Sequence, residues 1–231
     1  MENYSLNNGS AGAEVVRSGP IGGIQPLPLR IFGHFISYVF HPLFIPVYVT
    51  AFLLFVDPFA FPGLDHKMKV FKLAGVFFNI TFLPGFAVFL MYQLKLIKSM
   101  YLRTQRERII PFAVSMVFYF WVWYVSKNQP ENPSLYVVFL FGTFLAVCAT
   151  WMLNINSKVS MHSTAMGGVL AFAILMTFSG QDASGLYLTV AFLVAGLVCT
   201  ARFLVSDHSR WEVYIGLFSG VVSMLVAYWL N

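Results

Sequence analysis

Charged side chains are so widely spaced in this chain that seven stretches run without a single Asp, Glu, Lys or Arg. They are Ile31 to Val56, Leu73 to Met91, Ile109 to Val125, Leu135 to Leu153, Ser163 to Phe178, Leu186 to Ala201 and Val213 to Leu230. Each approaches or exceeds the roughly 20 apolar residues that a helix needs to cross the hydrocarbon of a bilayer. Inside hydrocarbon every backbone N–H and C=O must be satisfied within the protein, which for runs of this length means helices. Charged residues make up 10% of the chain and hydrophobic ones 58%, with a mean hydropathy of +0.74. Soluble domains carry roughly 25% charged residues. A soluble globular domain is excluded, and so is disorder for all but the ends. The expected fold is all-α, a polytopic transmembrane helical bundle of about seven spans with six as the alternative. The first stretch holds His34, His41 and Pro42, so it also fits a broken or partly interfacial helix.

Residues 1–29 read as a polar tail and residues 30–231 as one membrane domain. The tail has no basic start leading into a short apolar core and a cleavage site, so no cleavable signal peptide is expected. Asp57-Pro58, Phe61-Pro62-Gly63 and the polar run from Asn128 to Pro133 break the chain between spans. Cys148 and Cys199 sit inside apolar runs without CxxC spacing and read as small hydrophobic residues.

Seven crossings would put connectors two-three, four-five and six-seven at the end that also holds the N-terminus. That end collects Arg17, Arg30, Lys95, Lys98, Arg103, Arg106, Arg108, Lys158, Arg202 and Arg210, against Lys67, Lys69, Lys72 and Lys127 opposite. Taken literally, the excess of Lys and Arg puts this end in the cytoplasm; the membrane expected is a plasma (inner) membrane, with the side of the cluster left open. Without Arg103, Arg106, Arg108 and Arg202 the bias shrinks to six against four, which decides little. A net charge of +5 gathered into a few connectors suits an anionic ligand or lipid headgroups rather than nucleic acid, and implies no obligate protein partner.

Three clusters at this end carry chemistry. In the last, Arg202 precedes His208 by six residues and Glu212 follows it by four. If the final helix begins near His208, the two share a face, and the carboxylate holds one imidazole nitrogen while the other faces a substrate. A guanidinium at Arg202 suits a forked grip on phosphate oxygens. The alternative is a basic interfacial turn in which Glu212 merely satisfies the histidine. The middle cluster, Ser160-Met161-His162-Ser163, opens the fifth span. Hydroxyls there bind an anion together with free helix N–H groups, or Ser163 simply caps the helix. The first cluster, Arg103, Arg106 and Arg108, lies just before the third span, with Pro111 in that helix's first turn, where a positive-inside anchor continuing Lys95 and Lys98 would look the same.

In this order the clusters resemble the three signature motifs of the type 2 phosphatidic acid phosphatase superfamily, the membrane relatives of vanadium haloperoxidases: K-x6-R-P, P-S-G-H and S-R-x5-H-x3-D. Arg202, His208 and Glu212 keep both spacings of the third motif, with Ala201 for its Ser and Glu for its Asp. Ser160 and His162 match the second, with Val159 for Pro and Met161 for Gly. The first departs more: Ile110 precedes Pro111, and no single one of Arg103, Arg106 and Arg108 falls where the family's Lys and Arg fall.

The resemblance implies a metal-independent, cofactor-free membrane hydrolase acting on a lipid phosphate monoester or diphosphate. Phosphatidic acid, phosphatidylglycerophosphate, an isoprenyl diphosphate and a lipid A phosphate all fit. His208 would attack phosphorus and Glu212 would fix its tautomer. His162 would protonate the leaving alkoxide and then activate water. Arg202, Arg103, Arg106, Arg108 and Ser160 would bind the phosphate. A reading from another class is a non-catalytic anionic-lipid-binding protein or an anion transporter using the same Arg and His groups. Two histidines on separate segments favour acid-base work over recognition alone, and no charge deep in a span marks a translocation path. A metal site has little behind it, since neither HExxH nor a carboxylate cluster occurs.

Overall fold

The computed structural model describes residues 4–7, 14–17, 25–98, 105–180, 185–206 and 208–231. They form the helices α1 (Leu27–Val39), α2 (Ile45–Phe55), α3 (His66–Val76), α4 (Leu83–Gln93), α5 (Gln105–Lys127), α6 (Ser134–Leu153), α7 (Met161–Phe178), α8 (Leu186–Val205) and α9 (Arg210–Leu230). A π-helical turn over Phe77–Phe82 joins α3 to α4, so His66–Gln93 runs as one helix. This long helix and α5 to α9 are six helices long and apolar enough to cross a membrane, and the chain is an integral membrane protein built as a polytopic helical bundle. In the polar tail, the short strands β1 (Tyr4–Asn7) and β2 (Glu14–Arg17) pair antiparallel.

The first apolar stretch is broken. Pro42 has no N–H to give and disfavours helical backbone at His41, so α1 ends at Val39 and α2 begins only at Ile45. Pro46 sits in the first turn of α2, where a missing N–H costs nothing. The break is fastened by Thr81 of the π-helical turn, whose hydroxyl donates to the Leu43 carbonyl at 2.6 Å. Around it, α1 packs on the C-terminal end of α8, with Gly33 against Val205 and Ile36 clustered with Val198 and Ala201. α2 reaches the N-terminal end of α8, where Phe52 meets Tyr187 edge-on at 4.7 Å. The pair therefore touches both ends of α8, and neither helix is long enough to cross a membrane by itself.

Helix α5 also begins earlier than the apolar pattern suggests. Arg106 and Arg108 lie within it, and Pro111 sits in its interior, not its first turn. The polar residues Gln105 to Arg108 are acceptable helix formers, and only hydropathy had excluded them.

Two helices approach with almost no side chains between them. A Cβ on Gly167 of α7 would collide with the Leu217 carbonyl of α9, and one on Gly220 of α9 with the Thr164 carbonyl of α7. On Gly216 it would come within 2.8 Å of the Ser160 carbonyl. Small residues at such crossings let backbones touch in a membrane, where lipid gives no hydrophobic drive to pack. Gly167→Ala and Gly220→Ala are therefore expected to destabilise the bundle by about 1–3 kcal/mol, the range for overpacking. Gly168→Ala serves as the control, because its Cβ would meet Met224 only at an ordinary 3.8 Å. Thermal unfolding in detergent separates the two classes; equal melting temperatures for all three variants would contradict the backbone contact.

At the end of the bundle away from these polar connectors, Lys72 donates to Gln129 Oε1 (3.0 Å) and Asn132 Oδ1 (2.6 Å) and lies 3.5 Å from Glu131. This clamp ties the long helix His66–Gln93 to the α5–α6 turn beside a cavity of about 260 Å³.

Candidate active site at one end of the bundle

Antiparallel helices joined by short loops bring alternate connectors to the same end, and here Arg108 meets the Val159 carbonyl, His208 the Lys158 carbonyl, and His162 and Arg202 both meet Ser37 of α1. Four chain segments thereby surround one cluster.

His208 precedes the N-terminus of α9 and is 5% exposed. Its Nδ1 lies 2.9 Å from the Lys158 carbonyl, which can only accept, so this nitrogen carries the proton. Among the described residues nothing bonds Nε2, which is left with a free lone pair. Glu212 stands 3.6 Å from the same Nδ1, an ion-pair distance rather than a hydrogen bond. Its carboxylate instead accepts from the Ser209 N–H at 2.7 Å, while Ser209 Oγ accepts from the Glu212 N–H at 3.2 Å. This reciprocal capping box starts α9. Glu212, expected to fix the His208 tautomer, shares Nδ1 with the nearer Lys158 carbonyl and serves the cap as well. Burial pushes the His208 pKa down; Glu212 pulls it back, while the Arg202 and Arg108 charges lower it further, and the net direction is down. The imidazole is neutral at pH 7.

The middle segment is held by its own cap. Ser160, not Ser163, is the N-cap of α7: fully buried, its Oγ accepts from the Ser163 N–H at 3.5 Å and from the Ser163 hydroxyl at 3.1 Å. The Ser160 N–H donates to the Glu212 carbonyl at 3.1 Å, stitching α7 to α9 at the site. His162, in the first turn of α7, donates from Nε2 to the Ser37 carbonyl at 3.0 Å, which leaves Nδ1 as its unprotonated atom in the neutral ring. The charges of Arg202, His41 and His208 all act on His162.

Arg202, in the last turn of α8, donates from Nη1 to Ser37 Oγ at 3.2 Å. Arg108 is 6% exposed and donates from Nη1 to the Val159 carbonyl at 3.3 Å, so the first cluster reaches the site through this residue. Arg106 is exposed. Arg103 lies outside the described residues. Asn154 keeps the first and middle segments together, its Nδ2 donating to the Gln105 carbonyl at 3.0 Å.

Sequence reasoning missed the contribution of α1. Ser37 touches both Arg202 and His162, and the His41 ring meets the His162 ring edge-on with centroids 5.6 Å apart. The signal was His41-Pro42, an ionisable residue at a break within an apolar stretch. Also missed was Ser209-x-x-Glu212, a capping box legible from its spacing alone. Among the described residues no group of three or more His, Cys, Asp and Glu is arranged to hold a metal ion.

The fold and the cluster define an integral membrane protein with neutral and cationic donors gathered at one end of its bundle. Compared with protein-family models, with curated proteins and with solved structures, the chain matches none.

Proposed function

We propose that this protein is a membrane lipid phosphatase, related to the type 2 phosphatidic acid phosphatases, that hydrolyses a lipid phosphate monoester or diphosphate through a phosphohistidine on His208. The observation that carries this reading is the pose of His208, a buried neutral imidazole with Nδ1–H engaged and Nε2 unprotonated, under the charges of Arg202 and Arg108 from two other segments. A group recognising an anion needs no such lone pair; a nucleophile does.

In the first step the Nε2 lone pair of His208 forms a bond to phosphorus, and the bond from phosphorus to the bridging oxygen breaks. Its electron pair leaves with that oxygen, which takes a proton from Nδ1 of His162, a ring that is neutral in the empty site and takes up this proton together with the phosphate anion. In the second step a water oxygen attacks phosphorus, neutral His162 takes the water proton, and the P–N bond returns its pair to His208. One ester and one water become one alcohol and one phosphate, or a monophosphate where a diphosphate is cleaved, and both histidines return to their starting states. Arg202 and Arg108 neutralise the equatorial oxygens, which is where phosphoryl transfer develops its demand for positive charge. Two guanidiniums in that role make the reaction independent of a metal cofactor. Ser160 contributes through the α7 N-terminus that it caps, whose dipole favours an anion. The lipid tail stays in the bilayer while the headgroup reaches the cluster.

The test is phosphate release by the detergent-solubilised protein from a panel of lipid phosphates with EDTA present. EDTA-resistant release supports the reading, and no release from any lipid by folded protein refutes it.

A pH profile probes Glu212. Because the His208 pKa is lowered, its neutral form persists below the usual imidazole range, so the acid limb of kcat/KM falls below about 6.5. By the same sign, the stability contributed by the neutral ring is complete above the ordinary imidazole pKa and is lost as pH falls from there through the lowered pKa of the folded protein. Glutamine still completes a capping box, so Glu212→Gln removes the charge and keeps the cap. Without that charge the imidazolium loses a partner, and the acid limb moves to lower pH. Movement to higher pH would contradict Glu212 as the partner of His208.

A further inference from the structure

We propose that His41, at the break between α1 and α2, is a third histidine of the site and donates a hydrogen bond from Nε2–H to an oxygen of the bound phosphate. The inference rests on the phosphatase reading for its chemistry, and on geometry of its own for the donor.

The tautomer follows from the partner of the other nitrogen. The Leu43 N–H donates to His41 Nδ1 at 3.3 Å, so Nδ1 is unprotonated and the ring is neutral with its hydrogen on Nε2. The residue that sets this tautomer is itself held from both sides, because the Leu43 carbonyl accepts from Thr81 at 2.6 Å. The Thr81 hydroxyl comes from the π-helical turn, a distortion that recurs at functional sites. Leu43 is thus a bracket that fixes the ring and leaves Nε2–H with no partner among the described residues.

What Nε2–H faces follows from the neighbours. The ring stands edge-on to His162, and His162 shares Ser37 with Arg202. An anion drawn to Arg202 and bordered by His162 lies beside His41. Irregular backbone within an apolar stretch is tolerated where it is buried in protein or lines a polar cavity, and here it carries a donor beside Arg202 and His162. A neutral donor also has an advantage over another cation. It stabilises charge on the phosphate oxygens without raising further the repulsion among Arg202, Arg108 and a protonated His162.

The experiment uses the full chain with orthovanadate and inorganic phosphate as probes, read by the shift each gives to thermal unfolding, alongside turnover of a lipid phosphate. Loss of one preorganised donor to a phosphoryl group costs on the order of 10²-fold in kcat. His41→Ala and His41→Phe are each expected to lower kcat by about 10- to 100-fold and to weaken the vanadate shift in parallel. His41→Gln, whose amide N–H can stand near Nε2–H, recovers a large part of both. Should the alanine variant fail to fold, the glutamine and phenylalanine variants decide the matter: equal turnover and equal vanadate binding overturn the proposal. The two readings also fail separately. An active wild type unaffected by either His41 change overturns the donor and leaves the phosphatase standing. An inactive wild type whose vanadate shift still depends on His41 removes the phosphatase and keeps the anion donor.

Discussion

Replacing His208 by alanine is expected to lower phosphate release on the order of 10⁴-fold or more, as for other enzymes stripped of their nucleophile. The size follows from what is removed. Arg202, Arg108 and His162 remain in place, and they can still gather a phosphate and polarise it, but no lone pair meets phosphorus and the reaction has no covalent intermediate to pass through. The fold tolerates the change, because the cap that starts α9 uses Ser209 and Glu212 and not the imidazole. The cost is one hydrogen bond to the Lys158 carbonyl, roughly 1 kcal/mol. Unfolding near the wild-type temperature with turnover gone is the expected pair of results. Retention of most of the activity would rule out the covalent route.

The second large effect belongs to His162. Its Nε2–H is fixed on the Ser37 carbonyl, so proton transfer runs through Nδ1, and alanine removes both the acid of the first step and the base of the second. General acid-base groups contribute roughly 10²- to 10⁴-fold, and a lipid phosphate, whose leaving alkoxide needs a proton, is expected to show a loss in that range. An aryl phosphate leaves without protonation and is expected to lose far less in its first step. Measuring kcat/KM, which reports the first step, for both substrates in His162→Ala checks the role: an equal loss for the two would assign His162 to binding and not to the leaving oxygen.

The membrane architecture was legible because charge is so costly in hydrocarbon that its absence marks each pass, and all six full-length helices contain the runs read from sequence. The interruption of the first apolar stretch was legible too, from Pro42. The site was legible in its spacings and not in its partners. Arg106 and Arg108 are two residues apart and so point about 200° apart around a helix of 3.6 residues per turn. Which of them reaches the cluster depends on α5 already being helical at Gln105, and hydropathy had placed its start near Ile109. Lys158 acts through its carbonyl, a group every residue possesses, and no sequence pattern distinguishes it. Ser37 and His41 precede His162 by more than a hundred residues, and only the packing of α1 on α8 brings them there. Glycine shows the same limit: Gly167 and Gly168 are neighbours that nothing in the sequence tells apart, yet only at Gly167 would a Cβ collide with the backbone of α9.

The central claim, a covalent phosphate on His208, is tested most directly by quenching the protein during turnover of a lipid substrate labelled with radioactive phosphate and mapping the bound label. A phosphohistidine is labile in acid and stable in alkali, unlike a phosphoserine. Acid-labile, alkali-stable label on the peptide containing His208, absent from His208→Ala, is the result this account predicts. Full turnover with no label on that peptide, under conditions where dephosphorylation limits the rate, would contradict it.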